Sequence, residues 1–296
     1  MMPSAKSNPA PYDFEAIGTR WRIEILQPLS SLQAAEVEQA VHARIEEFDR
    51  NYSRFRSDSL ISAMAARAGR YDLPADAQPL FDLYHQLYRI SDGAVTPLVG
   101  QLLSDAGYDA TYSLRPGQLS APPAWDNVLD YDFPHLTLQA PALLDLGAAG
   151  KGYLVDLVAR LLEHHNIQHY CVNAGGDMAY RGPKGQALEV GLEHPSDPEQ
   201  VIGVARLTDQ SICGSAGNRR AWAQFNHIMD PRTQASPTHL QAVWVTAAST
   251  LLADALTTAL YFVPAGILRQ SFQFEYALVH ADSSLEHSPG FPATFF

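Results

Sequence analysis

Cysteine is nearly absent from the sequence: two residues, Cys171 and Cys213, in 296. That scarcity excludes a disulfide framework and a cysteine-built zinc site. Basic residues are also scarce, with 20 Lys plus Arg against 32 Asp plus Glu, a formal net charge of -12 at pH 7 with His neutral. Nucleic-acid binding needs a basic stripe to displace condensed counterions. No Lys/Arg cluster exceeds the pair Arg219 and Arg220, so a nucleic-acid partner is disfavoured. The first eleven residues hold Pro3, Pro9, Pro11 and a lone Lys6 but no apolar run, unlike the hydrophobic region of a secretory signal. The expected compartment is the cytoplasm, or an exported one if a leader has been removed. Val243 to Val263 is long enough to span a bilayer but carries Asp254 and five Ser or Thr hydroxyls. A carboxylate in mid-span costs roughly 2.5–3.5 kcal/mol, so a buried strand and a buried helix are expected there, with no membrane span.

What is present is a large apolar share, 46% of residues, enough for a sizeable core. Trp21, Ile23 and Ile25 alternate with Arg20, Arg22 and Glu24, which predicts a half-buried strand over Thr19–Leu26. Helical spacing of Val37, Val41, Ile45 and Phe48 predicts a helix over 34–49, and that of Leu80, Leu83, Tyr84, Leu87 and Ile90 a second over 77–91. The stretch 108–133 is rich in Gly, Pro, Asp and Ser and reads as an irregular connection. Leu136–Leu138 and Leu143–Leu146 read as a hairpin leading into a small-residue loop, 147–152, with a helix from about Tyr153 to His165. A strand over 169–173 then enters a second glycine turn, 174–177. Ala242–Thr246 is expected as a strand and Ser249–Phe262 as a helix with Ser249 at its N-cap.

Few residues pair with a chemical role. The loop Asp145-Leu146-Gly147-Ala148-Ala149-Gly150-Lys151-Gly152 reads either as a phosphate cradle or as a tight turn. It fails the Walker A spacing, and Val155 stands where a dinucleotide fingerprint needs Gly or Ala. Asp254 and Thr258 lie four apart and project from one helix face with hard oxygen donors, a magnesium-like pair. The alternative is a satisfied polar residue, yet no basic residue lies within a turn of Asp254. His227, beside the Asp230-Pro231 turn, reads as a structural or a proton-transferring histidine. His164, His165 and His169 fall at a helix end, where they suit the dipole better than a metal site.

Read in order, these segments resemble the ApbE-like flavin transferases, the FAD:protein FMN transferases. The carrying motifs are Ile17-Gly18-Thr19-x-Trp21, Ser53-x-Phe55-x-x-x-Ser59, Asp145-Leu146-Gly147 through Lys151-Gly152-Tyr153 with Asp156, and Asn173-Ala174-Gly175-Gly176-Asp177. Ser215-Ala216-Gly217, His227-Ile228-Met229-Asp230-Pro231 and Ala253-Asp254-Ala255-Leu256 with Thr258 follow. The chain departs from the family pattern at Gly93-Ala94-Val95-Thr96-Pro97, where many members have Phe-Asp-Pro-Thr, and at Gly150, commonly Ala.

The resemblance implies an α+β fold with mixed or antiparallel sheets and packed helices in two intimately associated halves. It implies one such domain over 15–296 after a loosely ordered stretch, 1–14. It further implies FAD as substrate, contacted by Ala94, Val95, Thr96, Asp145, Gly147, Lys151, Asn173, Gly175, Gly176, Asp177, Ser215, His227 and Ile228. Mg2+ would be held by the Ala148 carbonyl, Asp254 and Thr258, and Asp254 and His227 would be catalytic. The implied reaction moves FMN onto a Thr or Ser hydroxyl of an acceptor protein, such as a redox-pump subunit or a flavoreductase, and releases AMP. Hydrolysis of FAD to FMN and AMP at the same site, and flavin binding without catalysis, compete with it. Asp254 and Thr258 weigh against the last.

Overall fold

The computed structural model describes residues 8–296. The alternation around Trp21 builds β2 (Thr19–Ile25), which folds back on β1 (Tyr12–Ala16) through the turn Ile17-Gly18, both residues at positive φ. From β2 the sheet continues through β6 (Tyr170–Ala174), β7 (Asp177–Arg181), β10 (Ser211–Ala216), β13 (Leu240–Ala247), β14 (Glu275–His280) and β15 (Leu285–His287). Every neighbouring pair is antiparallel. A second sheet has the order β3 (Gly69–Asp72), β5 (His135–Leu138), β4 (Leu129–Asp132), and a third the order β16 (Ala293–Phe295), β9 (Asp197–Leu207), β8 (Leu188–His194). A short pair, β11 (Ala221–Trp222) and β12 (Phe225–Asn226), completes the strands.

The helices are α1 (Ser31–Tyr52), α2 (Leu60–Ala66), α3 (Gln78–Ile90), α4 (Gly100–Asp105), α5 (Trp125–Val128), α6 (Gly150–His164), α7 (Thr250–Ala259) and α8 (Ala265–Leu268). Val37, Val41, Ile45 and Phe48 of α1, with Leu154, Val155 and Val158 of α6 and Leu256 of α7, form one apolar core with Val172, Val243 and Val245 of the large sheet. Residues of opposite parity on the same strands, such as Cys171 and Ile212, pack instead against Leu192, Ala205 and Leu207 of the third sheet. The large sheet is thus covered by helices on one face and by a small sheet on the other.

The α+β class is as expected, and the helix and strand cores match their apolar periodicity. Four expectations are corrected. The hairpin is formed by β4 and β5 around Phe133-Pro134 and not by 136–138 with 143–146; the latter segment is not a strand, and its Asp145 N–H donates to Pro97 O at 2.7 Å. The irregular connection therefore ends at 124. Helix α6 begins at Gly150, so the glycine loop supplies its first turn. Tyr12 to Phe14 lie in β1, inside the stretch expected to be loosely ordered, while residues 1–7 of that stretch lie outside the described residues.

Helices α6 and α7 touch through backbone. A side chain at Gly152 would meet the carbonyl oxygen of Thr250 and approach Asp254 Cβ to 2.5 Å. Only glycine allows that approach. Gly152→Ala should destabilise the fold by at least about 2 kcal/mol, the scale of overpacking in a rigid contact. Urea unfolding measures it, and a loss of under about 0.5 kcal/mol would mean that the helices separate freely.

Candidate active site

The loop before α6 is shaped by Asp145. Its Oδ1 accepts from Gly147 N–H at 2.7 Å, and its Oδ2 accepts from Arg54 Nε at 2.5 Å. Arg54 is itself buried, donates to the Tyr108 carbonyl at 2.7 Å, and lies over the rings of Phe55 (4.2 Å) and Tyr108 (5.0 Å). A buried guanidinium is stable only with such company.

At the helix start one donor left over by the first turn finds its partner on α7. Gly152 N–H donates to Asp254 Oδ2 at 2.8 Å. The reverse contact comes from Asp156 on α6, whose carboxylate accepts from Thr250 N–H (2.9 Å) and Leu251 N–H (2.8 Å), capping α7 alongside Ser249. Thr257 is tied to Ser215 Oγ and to the Asp254 carbonyl, both at 2.7 Å. Thr258, by contrast, turns to an open cavity of about 850 Å3 shared with Asp254.

That cavity brings together residues far apart in the chain. Ala94, Val95, Thr96, Asp145, Gly147, Ala148, Lys151, Gly175, Gly176, Ser215, His227, Ile228, Asp254 and Thr258 all line it. Two nominated residues do not. Asn173 lines a smaller neighbouring groove, and its Oδ1 accepts from Gly176 N–H at 2.9 Å, fixing the Gly175-Gly176 turn. Asp177 is fully buried beneath the wall, 2.7 Å from Lys151 Nζ. His164 and His165 are exposed at the end of α6.

The electrostatics around the start of α6 turn on two buried carboxylates, Asp177 and Asp254. Burial, then the nearby Asp177, push the Asp254 carboxyl well above the usual carboxylate range, and Lys151 only partly opposes them. Burial works against the Lys151 ammonium, yet Asp177 and Asp254 outweigh it and raise its pKa. Burial and the like charge of Asp177 disfavour the ionised Asp254, Lys151 and Arg220 favour it, and a bound cation would favour it further. Unpartnered polar atoms also gather here: Tyr84 Oη, both Asp177 oxygens and His227 Nδ1 are buried without a hydrogen-bond partner. Asp177 Oδ2 has the Lys151 ammonium 2.7 Å away. Tyr84, beneath the loop, is close enough to Asp145 and Asp254 to feel both charges. Native interiors leave few such atoms unpaired unless an ion, water or ligand completes them. Among the described residues no three His, Cys, Asp or Glu side chains converge. The available donors are one carboxylate, a hydroxyl and backbone oxygen, which suit a hard cation such as magnesium better than zinc.

Sequence reading passed over Arg54, Arg220 and the aromatic wall. Arg220 lines the cavity, donates to Tyr108 Oη at 2.8 Å, and forms no ion pair among the described residues. Phe55 stacks on Tyr112 at 5.1 Å and Tyr108 on Trp222 at 5.5 Å. The adjacent arginines Arg219-Arg220, just after the Ser215 motif, were the available signal for a cationic rim.

The sequence pattern described as the ApbE family matches residues 17–273 of the chain, with the site residues inside it. The chain belongs to the ApbE family. Proteins named FAD:protein FMN transferase are similar to it: that of Salmonella typhimurium is 26% identical over 274 residues, covering 83% of this chain and 76% of the relative. That of Escherichia coli K12 is 27% identical over 270 residues, with the same coverage. The flavin transferase ApbE of Vibrio cholerae superposes with a TM-score of 0.81 over 96% of this chain and 97% of its own, at 19% identity. The ApbE protein of Thermotoga maritima gives 0.80 at 21% identity, over 95% and 97%. The folds agree throughout.

In this member of the ApbE family His227 is neutral at pH 7. Burial, then the charge of Arg220, push it down to about 4. Its folded pKa lies below the ordinary 6.5, so its contribution to stability is present above about 6.5 and is lost as pH falls toward 4. His227→Asn should flatten the fall of the urea midpoint over that window. An unchanged slope would mean that the imidazole is protonated in the folded protein.

Proposed function

We propose that the chain is a magnesium-dependent FAD:protein FMN transferase, which attaches FMN from FAD to a Thr or Ser hydroxyl of an acceptor protein and releases AMP. The observation that carries the reading is the convergence of Asp254, Thr258, Ala148 and Lys151 on one cavity beside an aromatic wall. The relatives' names support it. Lys151 and Arg220 provide cationic contacts for a pyrophosphate, and the rings of Phe55 and Tyr112 offer a stacking face for a flavin or adenine ring. Asp145, held by Arg54, and the Gly175-Gly176 turn shape the walls against which FAD lies, with Ala94, Val95, Thr96, Ser215 and Ile228. Magnesium held by the Ala148 carbonyl, Asp254 and Thr258 would neutralise charge on the phosphate oxygens.

In the reaction the acceptor hydroxyl oxygen bonds to the FMN phosphorus as its bond to the bridging oxygen breaks. AMP leaves with that oxygen, and the hydroxyl proton passes to His227, whose neutral imidazole is the form that accepts one. Positioning and charge neutralisation carry most of such a transfer.

Asp254→Asn tests this reading. The variant should release AMP from FAD roughly 10- to 100-fold more slowly, the scale at which metal sites respond to losses even in their supporting shell. Raised Mg2+ should restore part of the rate. Burial and Asp177 oppose the charge on Asp254, so without Mg2+ the variant should melt no lower than the native protein, and its stabilisation by Mg2+ should require higher Mg2+. Turnover near the native rate at low millimolar Mg2+ would remove the cation from the account.

A further inference from the structure

The main cavity of about 850 Å3 lies within the roughly 300–1,000 Å3 that accommodates a whole cofactor, and a transferase must also seat its acceptor. A smaller groove of about 260 Å3 adjoins it and shares Met178, Val190 and Gly191. One wall is the outer face of β2 and β6 at Arg22, Glu24 and Asn173; the other is β8. Arg22 is engaged by Glu24 at 2.7 Å and by Asp13 at 3.5 Å, and Glu189 adds negative charge, so the groove offers little to a phosphate.

It does offer a strand edge. Among the described residues β8 pairs only with β9. On β9, the Ile202 carbonyl accepts from Phe296 N–H (3.0 Å) and Arg206 N–H donates to Pro292 O (2.7 Å), so even-numbered residues face β16. In an antiparallel strand the N–H and C=O of one residue point the same way and the direction alternates along the chain. Residues 203, 205 and 207 therefore face β8, opposite Leu192, Val190 and Leu188. The N–H and C=O of Glu189 and Gly191 are left pointing to the free edge. Both residues line the groove, and among the described residues no hydrogen bond reaches those backbone groups.

We propose that an extended Ser- or Thr-bearing segment of the acceptor protein adds to β8 as an extra strand at Glu189 and Gly191, and that the groove leads its hydroxyl into the main cavity. The inference rests on the transferase reading above. Backbone pairing of this kind gives affinity with little demand on sequence.

The test uses a library of peptides of about twelve residues, each with one central Thr, incubated with the full chain, FAD and Mg2+, and followed for FMN attachment and for AMP. Glu189→Pro removes an outward N–H at an edge position that tolerates proline. It should slow attachment to labelled peptides about tenfold at limiting peptide while AMP release to water stays within about twofold, and Glu189→Ala, which keeps the N–H, should label normally. In the native protein a labelled peptide should slow amide exchange at Glu189 and Gly191 about tenfold, a readout that holds even if the proline variant misfolds. Undiminished labelling by Glu189→Pro, or unprotected amides, would overturn the proposal alone. AMP release with no labelled peptide from the native protein would overturn the transferase reading and this inference with it.

Discussion

The backbone N–H of Gly152 meets the carboxylate of Asp254 across the only approach that two helices without an intervening side chain can make. Asp156 returns the contact by capping the first turn of α7. These bonds set the rotation of each helix about its axis, and much else follows from that rotation. Lys151, one residue before Gly152, is carried into the cavity, and Thr258, one turn beyond Asp254, is carried to the same wall. An unsatisfied helix terminus and a buried carboxylate would each be costly alone; together they satisfy one another.

The satisfaction is incomplete in charge. A lysine in the first turn of a helix opposes the helix dipole, and here it is held there by Asp177 and Asp254, both poorly solvated. Lys151 and Arg220 offset only part of what burial and Asp177 do to Asp254. A cation held at these oxygens, as proposed, would lie beside Lys151 and Arg220, which would meet the anion. A metal-bound pyrophosphate has that pairing of charges.

Much of the fold was legible because its cause is local. The alternation around Trp21 and the stripe of α1 each report a single buried face, and the spacing of Asp254 and Thr258 is a property of one helix. What failed depends on partners distant in sequence. Gly150 and Gly152 are poor helix formers, so the residue pattern places the start of α6 three residues late; its first turn is held by a carboxylate 102 residues on. Leu143 to Leu146 have the composition of a strand, but the edge they would have used is occupied by β4. Arg54 carries no signal in isolation, since Asp145, its reason for burial, lies 91 residues away. Asp177, an FAD contact by the family resemblance, lies buried beneath the cavity wall instead, where it holds Lys151.

The central claim is that the contact between α6 and α7 builds a cation site beside a pyrophosphate site. Crystals grown with FAD and Mn2+ in place of Mg2+ would locate the ion by its anomalous scattering. The account requires a peak bonded to oxygens of Asp254 and Thr258, with the FAD phosphates between it and Lys151. A peak elsewhere in the cavity, or ordered FAD phosphates against this wall with no ion bound to Asp254, would contradict it.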